Sequence, residues 1–211
     1  MTRSSLEMAE FIVQTLADVA KSNQNYFSEL DGVCGDGDFG TSLATGFRVV
    51  TEDHWEKLDR TNVSTFLKDA ASSFMGSVGG VTGSIWGTLL LRCGIKAGDK
   101  EELTFDDLFE MLYFAIEGMK KRGKSDLGDK TLLDAFVPAV EALEKKIKEG
   151  SSLVEGLEEA ATIARQRTED IKPWIAKRGR ASYTGERSMG TYDAGSIAVA
   201  MMFERLVEVF K

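Results

Sequence analysis

In nearly every long segment of this chain apolar residues recur at intervals of three and four, the period of an amphipathic helix, instead of alternating as a half-buried strand requires. Met8, Phe11, Ile12, Leu16 and Val19 share one face of a segment opened by Ser4-x-x-Glu7, a capping-box pattern. Val63, Phe66, Leu67, Ala70, Ala71 and Phe74 repeat the stripe, as do Ile85, Trp86, Leu89, Leu90 and Cys93. Thr104 caps a segment carrying Phe105, Leu108, Leu112, Ala115, Ile116 and Met119. Leu132, Leu133, Phe136, Val140, Leu143 and Ile147 mark another, with Pro138 expected to kink it. Ser152-x-x-Glu155 starts one more, and Ser196 to Phe210 closes the chain as an almost wholly apolar helix. With the segment from Gly40 to Thr51, the pattern predicts about eight helices and no strand pair. The predicted fold is an all-α antiparallel bundle, one domain over residues 1–211.

Glycines gather in four stretches between these helices: Gly32 to Gly40, Gly76 to Gly83, Gly123 to Gly128, and Gly179 to Gly195. In an antiparallel bundle alternate connections share an end. These four follow the first, third, fifth and seventh predicted helices, so one end should be a glycine-rich crown.

Composition narrows the chemistry. A formal net charge of −8 argues against nucleic acid and against anionic membrane surfaces, so any bound phosphate must be held by local features. Two cysteines give no disulfide framework, which fits a reducing compartment. No apolar run approaches a membrane span, and Met1 to Glu7 lacks the apolar core of a signal peptide; a cytoplasmic location is expected.

The first glycine stretch, Asp31-Gly-Val-Cys-Gly-Asp36-Gly-Asp38-Phe-Gly40-Thr-Ser42, brings three aspartates into one loop. Carboxylate oxygens suit Mg²⁺ or Ca²⁺. The helix beginning near Gly40 would present free N–H groups beside that ion, where a phosphate can sit. The bland alternative is a solvated acidic turn. Gly35-x-Gly37-x-x-Gly40 also fits the dinucleotide fingerprint, yet no hydrophobic strand precedes it and two aspartates would repel a bare pyrophosphate. An EF-hand loop fails because Phe47 stands where a Glu is needed.

Gly118 to Ser125 matches G-x-x-x-x-G-K-S to the letter, but it ends a helix instead of following a strand, so the phosphate-loop reading is rejected. Gly76 to Ser84 could cradle a nucleotide through backbone N–H groups or simply join two close helices. Lys177 to Arg187 is the main cationic block, able to grip phosphate or serve as a solvated face. His54, the sole histidine, reads as surface, and Cys34 is not read as a nucleophile. No side chain is assigned as a catalytic nucleophile or base.

Taken together, G-D-G-D-F-G at Gly35 to Gly40, S-V-G-G-V-T-G at Ser77 to Gly83, G-D-K-T-L-L-D at Gly128 to Asp134 and G-R-A-S-Y-T-G-E-R-S-M-G at Gly179 to Gly190, with D-A-G at Asp193, resemble one family in its own order. The chain is similar to the nucleotide-binding L subunit of dihydroxyacetone kinases, equivalent to the C-terminal domain of the single-chain ATP-dependent enzymes. The resemblance implies an eight-helix antiparallel barrel with ADP or ATP bound in the loops at one end through two Mg²⁺ ions. It makes Asp31, Asp36 and Asp38 the metal ligands and sets Phe39, Gly40, Thr41 and Ser42 against the phosphates. Val81 and Thr82 fall in the second nucleotide-binding loop; Gly123, Thr131 and Leu132 line the adenine side; Arg180 and Tyr192, Asp193 and Ala194 close over the nucleotide. It also implies a phosphotransferase active only with a separate K subunit, which holds dihydroxyacetone through a histidine. A phosphohistidine phosphotransferase protein and a homodimer are left open as further partners.

Two departures from the family pattern bear on the donor. Phe39 stands where the phosphotransferase-dependent type usually has His, and Gly37 where it has Ala or Ser; G-D-G-D-F-G-T-S is closer to the ATP-dependent type. Asp193-Ala194-Gly195 replaces D-P-G. The alternatives are a phosphotransferase-dependent L subunit with permanently bound ADP, a magnesium-dependent all-α ADP-ribosyl hydrolase, and a nucleotide-sensing partner of a transcriptional regulator.

Overall fold

A computed structural model of the chain describes residues 3–211, and among them there are helices and no strands. Nine α-helices follow in order: α1 Ser5–Ser22, α2 Gln24–Gly32, α3 Phe39–Arg48, α4 Val63–Ser77, α5 Gly80–Ala97, α6 Phe105–Gly123, α7 Leu133–Lys148, α8 Leu153–Asp170 and α9 Ala194–Phe210. The predicted all-α class is observed. The helix beyond the predicted eight is α2, separated from α1 at Asn23, and it takes Asp31 out of the loop and into its last turn. The helix expected to run from Gly40 to Thr51 is α3, which gives way to a π-helical turn at Val49–Asp53.

The chain forms two compact units, the first up to Lys21 together with Ser42–Gly123, the second Ser22–Thr41 together with Lys124–Lys211. In the first, α4 packs on α5 and α5 on α6. Its core is aromatic: the Phe47 ring meets Phe74 edge-on at 5.1 Å and Trp86 at 6.2 Å. All six residues of the predicted α4 stripe are buried. Asn62 caps that helix by accepting from the Thr65 amide while Thr65 returns a bond. On α1 the most enclosed positions are Val13, Thr15, Ala17, Val19 and Ala20, and the larger Met8, Phe11, Ile12 and Leu16 are half-buried. Small residues let neighbouring backbones approach, so the closest face is not the face with the bulkiest side chains. Likewise Phe105 stays exposed in the first turn of α6, and Phe109 takes the buried place.

In the second unit α7, α8 and α9 pack mutually and α2 lies on α9. Phe27, Leu133, Val140, Ile171 and Ile197 form its interior. Arg165 on α8 binds Glu204 on α9 through two bonds of 2.7 Å, a bidentate pair joining the helices. Pro138 sits inside α7 and has no N–H for the Asp134 carbonyl one turn earlier. Arg167 of α8 supplies the missing donor, its Nε 3.1 Å from that oxygen. The capping boxes expected at Ser4/Glu7 and Ser152/Glu155 both form.

Candidate functional site

Asp31, Asp36 and Asp38 converge. One carboxylate oxygen from each lies within 4.8 Å of the others, Asp31 half-buried and the other two exposed. Local sequence makes this possible. The Asp31 carbonyl, at the end of α2, accepts from the amides of Cys34 (3.2 Å) and Gly35 (2.5 Å), turning the chain back on itself. A β-carbon at Gly35 would collide with the Asp31 carboxylate, and one at Gly40 with the Gln24 carbonyl; both positions admit only glycine at this spacing. The close approach at Gly40 sets the N-terminus of α3 beside α2. There the Phe39 amide donates to Asp31 Oδ2 (3.3 Å) and the Thr41 amide to the Ser28 hydroxyl (3.3 Å).

Three carboxylates this close repel one another. The Asp38 carboxyl is held above its usual range, first by loss of hydration and then by the negative charge of Asp36, with Arg180 opposing. Arg180 is the cation that answers the cluster: its Nη2 lies 2.9 Å from Asp36 Oδ2 and 3.9 Å from Asp38 Oδ2. An all-oxygen anionic donor set at a helix N-terminus fits Mg²⁺, and the residues able to hold it are these three aspartates.

The structure brings further predicted residues into the same unit. Thr131 and Leu132 lead into α7: the Thr131 amide donates to Asp134 Oδ2 (2.8 Å), and the other Asp134 oxygen takes the Gly128 amide (2.6 Å). Tyr192 donates its hydroxyl to Glu169 (2.7 Å) beneath Lys172, whose Nζ stands 4.1 Å from the ring centroid. Asp193 caps α9 by accepting from the Ser196 amide (2.6 Å), and Ala194 is buried in the first turn. Burial pushes the Asp193 carboxyl up to about 6. Phe39 packs its ring on buried Phe27, centroids 6.1 Å apart.

Ser42, Val81, Thr82 and Gly123 belong to the first unit. The glycine stretch expected between Gly76 and Gly83 is mostly helix: α4 runs to Ser77 and α5 begins at Gly80, so Val81 and Thr82 stand in a helical first turn, Val81 exposed. Gly123 is the last residue of α6, which bears out rejection of the phosphate-loop motif. His54, read as surface, is half-buried with Nδ1 3.0 Å from Ser73 Oγ.

Sequence reasoning passed over Lys130 and gave Cys34 only a negative. Lys130 is 3% exposed, and its ammonium donates to the carbonyls of Lys172 (3.0 Å), Trp174 (3.0 Å) and Ser188 (2.6 Å). Cys34 Sγ lies 3.4 Å from the Arg187 carbonyl and 3.8 Å from Thr191 Oγ1, tying the acidic loop to the cationic block. The available signal was position: Lys130 stands inside the G-D-K-T motif and Cys34 among the aspartates.

Comparison with known proteins places the architecture. Residues 33–208 match the DAK2 domain family model. The chain is 33% identical over 207 residues to the ADP-binding subunit DhaL of PEP-dependent dihydroxyacetone kinase 2 from Listeria innocua, covering 95% of this chain and 93% of that protein. It is 33% identical over 189 residues to the Escherichia coli PEP-dependent DhaL, covering 90% of each. It is also 33% identical over 193 residues to the L-erythrulose kinase of Pectobacterium atrosepticum, covering 91% of this chain and 33% of that one. The crystal structure of the C. freundii dihydroxyacetone kinase in its native form superposes with a TM-score of 0.77 at 24% identity, over 96% of this chain and 34% of that chain. At that identity the likeness is one of fold, and the chain spans about a third of the solved kinase. With most of its length matched by one family model and near-complete alignment to proteins of that kind, the chain belongs to the DAK2-domain family.

Proposed function

We propose that this chain binds ADP or ATP with magnesium and acts as the phosphoryl-donor subunit of a kinase for dihydroxyacetone or a related short ketose such as erythrulose. The acceptor is held on a separate K subunit, so the chain alone turns over nothing. The observation that carries the reading is the convergence of Asp31, Asp36 and Asp38 beside the N-terminus of α3. Family membership supports it, since the DhaL relatives are described as ADP-binding subunits of dihydroxyacetone kinases.

Phosphoryl transfer needs positioning and neutralisation of oxygen charge more than a protein nucleophile. Two magnesium ions held by the three aspartates would supply that neutralisation. The chain's own residues do the rest. Asp31 orients the start of α3 by accepting the Phe39 amide, leaving the following turn to face phosphate. Arg180 carries a planar, permanently charged group beside the same carboxylates, suited to a phosphate oxygen pair. Phe39, Gly40, Thr41, Thr131, Leu132, Arg180, Tyr192, Asp193 and Ala194, all in the second unit, are the nucleotide contacts of this reading. Residues 1–211 are treated as one nucleotide-binding domain in a cytoplasmic protein; among the described residues no helix is long and apolar enough to cross a membrane.

A second reading rests on the relatives' descriptions. Four of the DhaL relatives are described as ADP-binding subunits of PEP- or PTS-dependent dihydroxyacetone kinases; on this reading a phosphotransferase protein would recharge ADP bound to the present chain. The test is reconstitution of the chain with a K subunit and dihydroxyacetone. Product with ATP alone supports the ATP-dependent form, and product only with PEP and phosphotransferase proteins selects the second. No product under either condition, with both subunits folded, contradicts the proposal.

A further inference from the structure

Lys130 is a charge buried without a carboxylate bonded to it. A desolvated ammonium is costly unless every proton finds an acceptor. Here all three do, and the acceptors are main-chain carbonyls drawn from one segment: Lys172 and Trp174 at its start, Ser188 at its end. Lys130 takes a left-handed backbone, φ 60, to reach them, a conformation unfavourable for a residue with a β-carbon. Its neighbour Asp129 adds two more ties, accepting the Lys177 amide at 3.0 Å on its carbonyl and Arg178 Nε at 3.2 Å on its carboxylate. Ser188 is wholly buried and its hydroxyl accepts the Ala176 amide (2.9 Å). The Gly190 amide returns to the Lys172 carbonyl (2.9 Å). The segment is therefore closed at its base while its middle reaches outward, with Tyr183 89% exposed, Arg180 extended onto Asp36 and Cys34 Sγ 3.4 Å from the Arg187 carbonyl.

We infer that Lys130 is a positioning residue: its ammonium fastens both ends of the 172–188 segment and thereby fixes where Arg180 stands over the aspartate cluster. This deepens the proposed function and, in its link to nucleotide, rests on it. An apolar residue of similar length would avoid the desolvation cost, so an ion kept here points to specification of one conformation over raw stability. Removing it takes a donor from all three carbonyls at once; Lys172 keeps the Gly190 amide and Ser188 keeps Thr191, but Trp174 loses its ammonium partner outright and the loop is released.

The segment supplies its own probe, because trypsin can cut after Lys177, Arg178, Arg180 and Arg187. Lys130→Met and Lys130→Gln are compared with wild type by limited trypsin digestion, by calorimetry with Mg-ADP and by urea unfolding. Cleavage between residues 177 and 187 should rise about tenfold or more in Lys130→Met, ahead of any cut elsewhere. Mg-ADP should bind about tenfold more weakly, and combining Lys130→Met with Arg180→Gln should weaken binding no further than Arg180→Gln alone. A merely structural lysine gives additive losses instead. Wild-type cleavage in both variants overturns the inference. So does failure of both to fold, which would make Lys130 a core residue of the whole unit. If wild type binds no nucleotide while Lys130→Met still frees the segment, the fastening stands and the proposed function falls.

Discussion

At the scale of single residues, charge decides most of what this protein can do. Asp36 and Asp38 have Arg180 as their cation, and the Asp38 carboxyl is held above its usual range by lost hydration and then by its acidic neighbours, so a divalent ion bound there would relieve the repulsion. Asp36→Asn and Asp38→Asn should each weaken Mg-dependent nucleotide binding by more than about a hundredfold, beyond what outer-shell changes produce. Calorimetry showing wild-type affinity in both variants would remove the aspartates from the site. Asp193 makes a different prediction. Its folded carboxyl is raised to about 6 from the usual 3.8 by burial, so its contribution to stability is fully present below about pH 4 and is lost as pH rises through about 6. Asparagine keeps the helix cap without the charge. Urea unfolding of Asp193→Asn and wild type should therefore diverge in favour of the variant between pH 4 and pH 7. Parallel curves across that range would show that Asp193 ionises freely.

At the scale of elements, the acidic loop works because α2 and α3 nearly touch at Gly40, where a β-carbon would meet the Gln24 carbonyl. Gly40→Ala should destabilise the protein by about 1–3 kcal/mol and weaken metal binding along with it, since separating α2 from α3 moves Asp31 away from its partners. Chemical denaturation and Mn²⁺ titration read the two effects. Unchanged metal affinity would detach the site from this helix contact. The elements also show what periodicity can and cannot reveal. The α4 stripe was legible throughout, because one helix face there is large, apolar and wholly buried. The break at Asn23 was not, because an ordinary polar residue ends α1 and the following helix has only Phe27 buried. Glycine misled at Gly80 and Gly83, which open α5 instead of extending a loop.

At the scale of the whole molecule, the all-α class and the three aspartates could be read directly, the first from period and the second from a dense local motif. The remaining proposed contacts rest on likeness to a family and not on spacing, because single residues such as Thr131 or Tyr192 carry no pattern of their own. Lys130 escaped for a related reason: a buried lysine looks like a surface one until its three carbonyls are seen together. The net charge of −8 sharpens the central claim, since the general field of the protein repels nucleotide and only local chemistry can hold it. The most direct test is calorimetric titration of the nucleotide-stripped chain with ADP and ATP, with and without Mg²⁺. Tight binding that appears only with Mg²⁺, with ready exchange between ATP and ADP, is the predicted result. Bound ADP that ATP cannot displace would transfer the account to the phosphotransferase-dependent form, and absence of binding with Mg²⁺ present would contradict it.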